Sequence, residues 1–267
     1  MIDFSSLRCK NGQIILNKEE INAITVNCIA DFNRDALKAP TPIMADEIAE
    51  VHLGYHVRYE HLSHNDSILG TIAFNEGKIP VYDPKREDIK YIKVKAKTML
   101  FDLSLIEPEQ RGRAEFSIAH EIGHAVMHPP QIIDYGEPSG IITCRNAAVE
   151  PSVDMPSHKR TTPLAWREWQ ADYFAACLKM PRVTFLSFAR ECLRKDLGQP
   201  AGIIRVTNEE TYDIAEALWA TAAKFYFTSN QAARIRLQEL NVIRDLDQEV
   251  YKQIQAIKDS RQNENKE

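Results

Sequence analysis

The feature that most limits what this chain can fold into is a pair of histidines four residues apart, His120 and His124, with Glu121 and Gly123 between them. On an α-helix, positions i and i+4 lie on one face, so both imidazoles can reach one metal ion. Glu121 is rotated away from that face and can contact a water molecule at the ion instead. Gly123 has no side chain, so another element can approach the helix closely. The pattern predicts a helix that carries two metal ligands on one face and is apolar on the other.

This arrangement matches the requirements of amide hydrolysis. A zinc ion polarises a carbonyl group and lowers the pKa of water towards about 7. A carboxylate at position 121 can take the proton from that water and later pass it to the leaving amine. We therefore predict Zn²⁺ as the cofactor and Glu121 as the catalytic base. Two unrelated histidines on the surface of a helix would show the same spacing without this chemistry.

A catalytic zinc site needs a third protein ligand, with the fourth position left to water. The metzincin pattern is excluded because Met127 and Pro130 stand where it requires glycine and histidine. His128 lies one helical turn beyond His124, but three ligands on one straight helix would span about 12 Å. We interpret His128 as a residue that supports the site rather than as a ligand.

A carboxylate farther along the chain is the remaining route to a third ligand. Glu168 and Asp172 are four residues apart and share one face of a predicted helix. Glu168 can therefore bind zinc while Asp172 orients a ligand histidine through its free ring N–H. This spacing is similar to that of gluzincin metallopeptidases. An ordinary solvated helix face would show it as well.

The surrounding patterns predict an α+β fold. Asn17 and Glu20 have the spacing of a capping box, which predicts a helix over about residues 18–36. A short helix is expected to follow Pro42 and to stop at Gly54. Between residues 55 and 106, three or four short β-branched or aromatic runs predict a small antiparallel sheet.

Helices dominate the rest of the chain. The motif helix is expected to begin after Pro108 and to end before Pro129-Pro130. Residues 129–162 contain several prolines and no periodicity, which predicts a long irregular segment. Thr162-Pro163 has the form of an N-cap followed by proline at the first helical position, and that helix should end at Pro181. Further helices are predicted over 183–195, 208–226 and 230–240.

Composition limits location and partners. The chain has 267 residues, of which 44% are hydrophobic, so it can bury a core. It has no apolar run of roughly 18 residues and no charged leader before an apolar segment, which predicts a cytoplasmic protein without a membrane span. Five scattered cysteines without a Cys-x-x-Cys pair indicate reduced thiols. A net charge of −5 provides no overall attraction for nucleic acid, so direct binding to it is not expected.

Two blocks of the sequence resemble the ImmA/IrrE family of zinc metallopeptidases. The first runs from Phe116 to His128 and the second from Glu168 to Pro181. Weaker similarity extends the resemblance over about residues 40–243. The second block departs at Lys179, where the family signature usually has the second leucine of Leu-Leu-Met-Pro. The lysine-rich stretch 87–97 matches nothing in the family.

The resemblance implies a zincin-like metallopeptidase core in residues 1–190, in which the small antiparallel sheet packs on the motif helix. The residue pattern itself predicts a helical, helix-turn-helix-like region over 191–243 and a polar tail over 244–267. We expect the helices near Ser229 to form a packed pair rather than a DNA reader. The family resemblance further implies one Zn²⁺ ion held by His120, His124 and Glu168.

The resemblance further implies a partner. Family members act in the cytoplasm and relieve repression by cleaving or inactivating a helix-turn-helix repressor that is often encoded nearby on a mobile element or stress operon. We expect such a protein substrate here. The alternative is a zinc-containing binding module that inactivates a repressor by sequestering it. Tyr135 and His158 are candidates for stabilising the oxyanion.

Overall fold

The computed structural model describes residues 9–10, 13–65, 67–129, 141–145, 162–246, 250, 251, 253, 254 and 256. These residues form an α+β structure with small sheets and seven α-helices. The helices are α1 Lys18–Asn33, α2 Ala45–Glu47, α3 Arg111–Met127, α4 Pro163–Lys179, α5 Arg182–Lys195, α6 Glu209–Tyr226 and α7 Asn230–Glu239. The strands are β1 Cys9–Lys10, β2 Gln13–Ile14, β3 His56–Glu60, β4 Ile68–Ala73, β5 Gly77–Asp83, β6 Asp88–Val94, β7 Thr98–Asp102, β8 Ile141–Arg145, β9 Ile204–Arg205 and β10 Ile243–Arg244.

Local signals set the helix boundaries as predicted. The Asn17 side chain accepts from Glu20 N at 2.9 Å, and the Glu20 carboxylate accepts from Asn17 N at 2.7 Å, which completes the capping box of α1. The Thr162 hydroxyl accepts from Ala165 N at 3.1 Å at the start of α4. After the short helix α2 and one π-helical turn, Gly54 has a φ of +70°, the left-handed region that favours glycine.

The main sheet is mixed rather than antiparallel. Its strand order is β3-β7-β4-β8, with β3 parallel to β7 and the other two pairs antiparallel. The predicted antiparallel sheet is therefore wrong for one pair. The reason lies in the connection, because a parallel pair needs a long crossover and β4, β5 and β6 all lie between β3 and β7.

The lysine-rich stretch 87–97 contains strand β6, which sequence reasoning missed. It pairs with β5 in an antiparallel hairpin whose register runs from Gly77 opposite Val94 to Asp83 opposite Asp88. One face of the hairpin buries Ile79, Val81 and Val94 in a small core. Both lysines of β6 are exposed: Lys93 lies on the opposite face, and Lys90 lies on the face of Val94 but nearer the end of the hairpin.

One strand also interrupts the segment predicted to be irregular. Residues 141–145 form β8, which pairs with β4 at the edge of the main sheet. The remainder of that segment, together with Tyr135 and His158, lies outside the described residues.

Besides the small core under the hairpin, the described residues form two larger hydrophobic cores. The first is formed by the main sheet with α1, α3 and α4. The second is formed by α5, α6 and α7, and it includes Phe185 and Leu193 on either side of the predicted boundary at residue 190. Leu246 and Ile254, from the segment predicted to be a polar tail, are buried in this second core. No helix in the described part of the chain has the length and apolarity needed to cross a membrane.

Candidate metal centre

The close packing of α3 against α4 brings the sequence-predicted residues together. A Cβ atom on Gly123 would lie 3.1 Å from Ala171 Cα and 3.2 Å from Ala171 O, so a side chain here would push the helices apart. Both backbones approach at this point because neither residue has a large side chain. The candidate donors of α3 and α4 lie around this contact.

Three of the predicted residues converge on one point. The two imidazole atoms His120 Nε2 and His124 Nε2 are 3.0 Å apart. Glu168 Oε2 lies 3.3 Å from His120 Nε2, and Glu168 Oε1 lies 3.5 Å from His124 Nε2. Ligands at about 2.0–2.1 Å from a tetrahedral zinc ion are separated by about 3.3–3.4 Å. The donor spacing and the donor types are therefore compatible with a metal ion.

Asp172 contacts the far side of one candidate ligand. Its Oδ1 atom lies 2.7 Å from His120 Nδ1. Because a carboxylate oxygen accepts, the proton of the imidazole lies on Nδ1, and Nε2 presents its lone pair towards Glu168. The predicted position of Asp172 behind a ligand histidine agrees with this contact.

His128 stands in the same relation to the other histidine. His128 Nδ1 lies 3.0 Å from His124 Nδ1, and His128 Nε2 lies 3.0 Å from the Gln170 side-chain oxygen. Burial lowers the pKa of His124 well below its usual value and that of His128 to about 4. Both imidazoles are therefore neutral at pH 7, the form that binds metal. Sequence reasoning missed Gln170, which resembles an ordinary helix residue when read alone.

Glu121 is fully buried beside the donors. Neither of its carboxylate oxygens has a hydrogen-bond partner among the described residues. Burial is the main reason why its pKa is raised to about 8, and the charge of Glu168 adds to the effect, whereas that of His120 opposes it. A buried carboxylate without a hydrogen-bond partner lowers the stability of the fold. A cation and a water molecule beside Glu121 would supply the missing partners. Glu168 Oε1 is likewise buried without a hydrogen bond.

Strand β4 passes directly against this carboxylate. A Cβ atom on Gly70 would lie only 2.8 Å from Glu121 Oε1. A side chain at this position would therefore displace the Glu121 carboxylate from its present place. No signal in the sequence pairs Gly70 with Glu121, because the two residues come from different elements.

A second buried polar cluster lies between the same two helices. Lys179, the departure from the family signature, is fully buried and its ammonium lies 2.7 Å from Glu115 Oε2. The same ammonium donates to the Ile43 carbonyl, and the same carboxylate oxygen accepts from Ala45 N at 2.8 Å. Burial lowers the pKa of Lys179, and Glu115 opposes that effect. Glu115 is thus the ionic partner of Lys179. The position of Lys179 at the end of a predicted helix did not indicate this partner.

A helix with the His-Glu-x-x-His spacing, packed against a second helix that supplies a carboxylate, has the donor set of a metallopeptidase. Residues 105–198 match the M78 peptidase family, whose model describes an IrrE N-terminal-like domain. Over these residues the chain is similar to this family, which confirms the resemblance to the ImmA/IrrE metallopeptidases. The match spans α3, α4 and α5, and it includes every candidate donor. No curated protein matches the chain.

The match to a peptidase family has two general consequences. It implies a protease, and the substrate of a protease is a protein. The cluster of His120, His124 and Glu168 is compatible with a metal ion.

Proposed function

We propose that this protein is a zinc-dependent endopeptidase in which His120, His124 and Glu168 hold the ion. The observation that supports this most strongly is the convergence of three donor atoms at tetrahedral spacing, next to a buried carboxylate that lacks a partner. Imidazole and carboxylate are ligands that Zn²⁺ prefers, and three protein ligands leave one position open for catalysis. When bound, zinc supplies Lewis acidity that polarises a carbonyl and acidifies water.

Glu121 would act as the general base and then as the general acid. One carboxylate oxygen takes a proton from the attacking water and then delivers it to the nitrogen of the leaving amine. Its burial makes it a stronger base than an exposed glutamate, because the charged form is poorly solvated. The close passage of Gly70 restricts where the carboxylate can lie.

Asp172 and His128 would position the ligands. Each contacts the ring nitrogen of a ligand histidine that faces away from the ion. Such partners orient the ring and raise its basicity, and they commonly contribute 10–100-fold in metal affinity.

The substrate that we propose is a helix-turn-helix repressor encoded nearby, cleaved in the cytoplasm to relieve repression. The relationship to the ImmA/IrrE family supports this partner. The net charge of −5 supports it as well, because it favours control through a DNA-binding protein over direct binding to DNA. The zincin-like arrangement of the core is part of the same proposal and is supported by the sheet that packs on α3.

Glu121→Gln is the decisive test. The variant removes the base but keeps the size of the side chain, so it should retain zinc and lose at least about a thousandfold in kcat, about 4 kcal/mol. Purified protein would be incubated with the repressor encoded beside its gene, and fragments would be mapped by mass spectrometry. Zinc content would be measured on the same samples.

Glu109→Gln, the same change at an exposed residue, is the matched control and should cleave normally. Undiminished cleavage by Glu121→Gln would show that Glu121 is not the base. Undiminished derepression without cleavage would instead favour the sequestering module.

A further inference from the structure

A continuous chain of hydrogen bonds leads away from His124 to the N-terminal hairpin of β1 and β2. It starts at His124 Nδ1, passes through the two ring nitrogens of His128 and then reaches the Gln170 side chain. The Gln170 amide nitrogen donates to the Ile14 carbonyl at 3.0 Å. His124, His128 and Gln170 are all fully buried.

The direction of every bond in this chain follows from its last member. A main-chain carbonyl can only accept, so the Gln170 group that faces Ile14 must be the amide nitrogen. The amide oxygen then faces His128 and can only accept, so His128 Nε2 must carry the proton. A neutral imidazole has one proton, which leaves His128 Nδ1 as an acceptor. His124 Nδ1 must therefore donate.

This order of donors and acceptors determines that His124 Nε2 carries no proton. With its proton on Nδ1, its Nε2 atom has a free lone pair that points towards His120 Nε2 and Glu168. The opposite order would turn the Gln170 amide round and set its oxygen against the Ile14 carbonyl oxygen at 3.0 Å, two acceptors without a proton between them in a fully buried place. The chain is therefore consistent in one direction only.

We infer that Gln170 is a positioning residue that, anchored by the Ile14 carbonyl and acting through His128, holds His124 in the tautomer whose Nε2 lone pair is available to a metal ion. This inference rests on the proposed metal site and adds to it a specific source of ligand orientation. His120 obtains the same tautomer directly from Asp172. His124 obtains that tautomer indirectly, through the side chains of His128 and Gln170. Their anchor is the Ile14 carbonyl, which lies 156 positions before Gln170 in the chain.

The first test needs neither metal nor variants. Long-range ¹H–¹⁵N correlation spectra of the metal-free protein, with ¹⁵N-labelled histidine, distinguish the two neutral tautomers of each ring. We expect His124 with its proton on Nδ1 and His128 with its proton on Nε2. A proton on His124 Nε2 or on His128 Nδ1 in the metal-free protein would overturn the inference. This readout is independent of peptidase activity, so it separates the inference from the proposed function.

The second test compares amide variants in binding of Zn²⁺ alone, measured by competition with a chromophoric chelator. Gln170→Leu removes the acceptor from His128 and should raise the Kd for zinc by about 10–100-fold. Gln170→Glu keeps an acceptor oxygen facing His128 but loses the donor to the Ile14 carbonyl, so it should recover only part of that loss. Gln238→Leu is the matched control, because the Gln238 amide donates to the Leu246 carbonyl away from the metal donors.

Gln238→Leu should lower thermal stability without changing zinc affinity. If Gln170 has only a structural role, Gln170→Leu will likewise lower thermal stability and leave zinc affinity unchanged. Normal zinc affinity and an unchanged His124 tautomer in Gln170→Leu would therefore contradict the inference. Should Gln170→Leu fail to fold, the tautomers of the unaltered protein and the affinity of Gln170→Glu still decide the matter.

Discussion

Two buried polar clusters lie between α3 and α4, and they differ in whether their partners are complete. In the closed cluster, the Lys179 ammonium and the Glu115 carboxylate satisfy each other and the main chain at Ile43 and Ala45. In the open cluster, formed by His120, His124, Glu168 and Glu121, electron-pair donors converge and several carboxylate oxygens have no hydrogen bond among the described residues. The two clusters share the same helices, and their side chains are buried except for Glu168, which is 24% exposed.

The difference separates a structural role from a chemical one. Burial of polar groups is costly, and a protein recovers that cost when partners are internal, as in the closed cluster. The open cluster is instead compatible with a metal ion, which would be a partner from outside the chain. The following predictions test that distinction, from the largest expected effect to the smallest.

Glu115→Ala should have the largest effect, on folding stability. It leaves the buried Lys179 ammonium and Ala45 N–H without their partner, which should cost about 3–5 kcal/mol in the free energy of unfolding. Urea denaturation of the metal-free protein measures this change. A loss below about 1 kcal/mol would mean that the closed cluster is not a stabilising unit.

Glu168→Ala should act on the metal instead. Removal of one of three ligands should weaken zinc binding by at least about 100-fold, because loss of an outer partner alone costs 10–100-fold. Stabilisation by zinc at about 100 times the Kd, about 2.7 kcal/mol, should disappear from the thermal unfolding curve. Without zinc, the variant should be about as stable as the unaltered protein.

Asp172→Asn provides the comparison for Glu168→Ala, since it retains an acceptor oxygen facing His120 and should bind zinc more tightly than Glu168→Ala does. Unchanged zinc affinity in Glu168→Ala would rule out Glu168 as the third ligand.

Gly123→Ala tests the helix contact that brings the donors together. The added Cβ would meet the Ala171 backbone at 3.1–3.2 Å, so overpacking of about 1–3 kcal/mol should outweigh the gain of about 1 kcal/mol from a better helix former. Both stability and zinc affinity should fall, because α4 carries Glu168. Gly202→Ala, where nothing lies within 4 Å of the added atom, is the control. Equal behaviour of the two variants would contradict the role of this contact.

Lys195→Ala should have the smallest effect. Lys195 pairs with Glu191 at 2.6 Å, but both side chains are more than half exposed. Solvent screens an exposed pair of this spacing, so its removal should barely change the midpoint of urea denaturation. A loss comparable with that of Glu115→Ala would show that burial is not what distinguishes the closed cluster.

Much of the open cluster could be predicted because its geometry is local. Four-residue spacing places His120 with His124 and Glu168 with Asp172 on single helix faces, whatever else the fold does. The contact of Asp172 with His120 required only that the two helices meet. By contrast, Gln170 and Gly70 have no such signal, because their partners Ile14 and Glu121 are remote in the chain.

The secondary-structure elements likewise divide into those that the sequence predicts and those that it does not. Capping at Asn17, Thr162 and Ser229 sets helix starts through contacts within a few residues, so those boundaries follow from the sequence. Strand β6 was missed because its exposed lysines hide the alternation that buries Val94. The parallel pairing of β3 with β7 depends on where intervening strands fold, which no local pattern records.

The amino-acid sequence by itself determined the helices, their ends, and which side chains can share a helix face, because those properties depend on bonds and contacts within one or two turns. Tertiary structure alone decided that α3 and α4 meet at Gly123, that Glu115 neutralises Lys179, and that a carbonyl at Ile14 orients His128. Each of these depends on pairing between distant segments. A pairing between distant segments forms only if it is compatible with the packing of the whole core, so it depends on all segments at once.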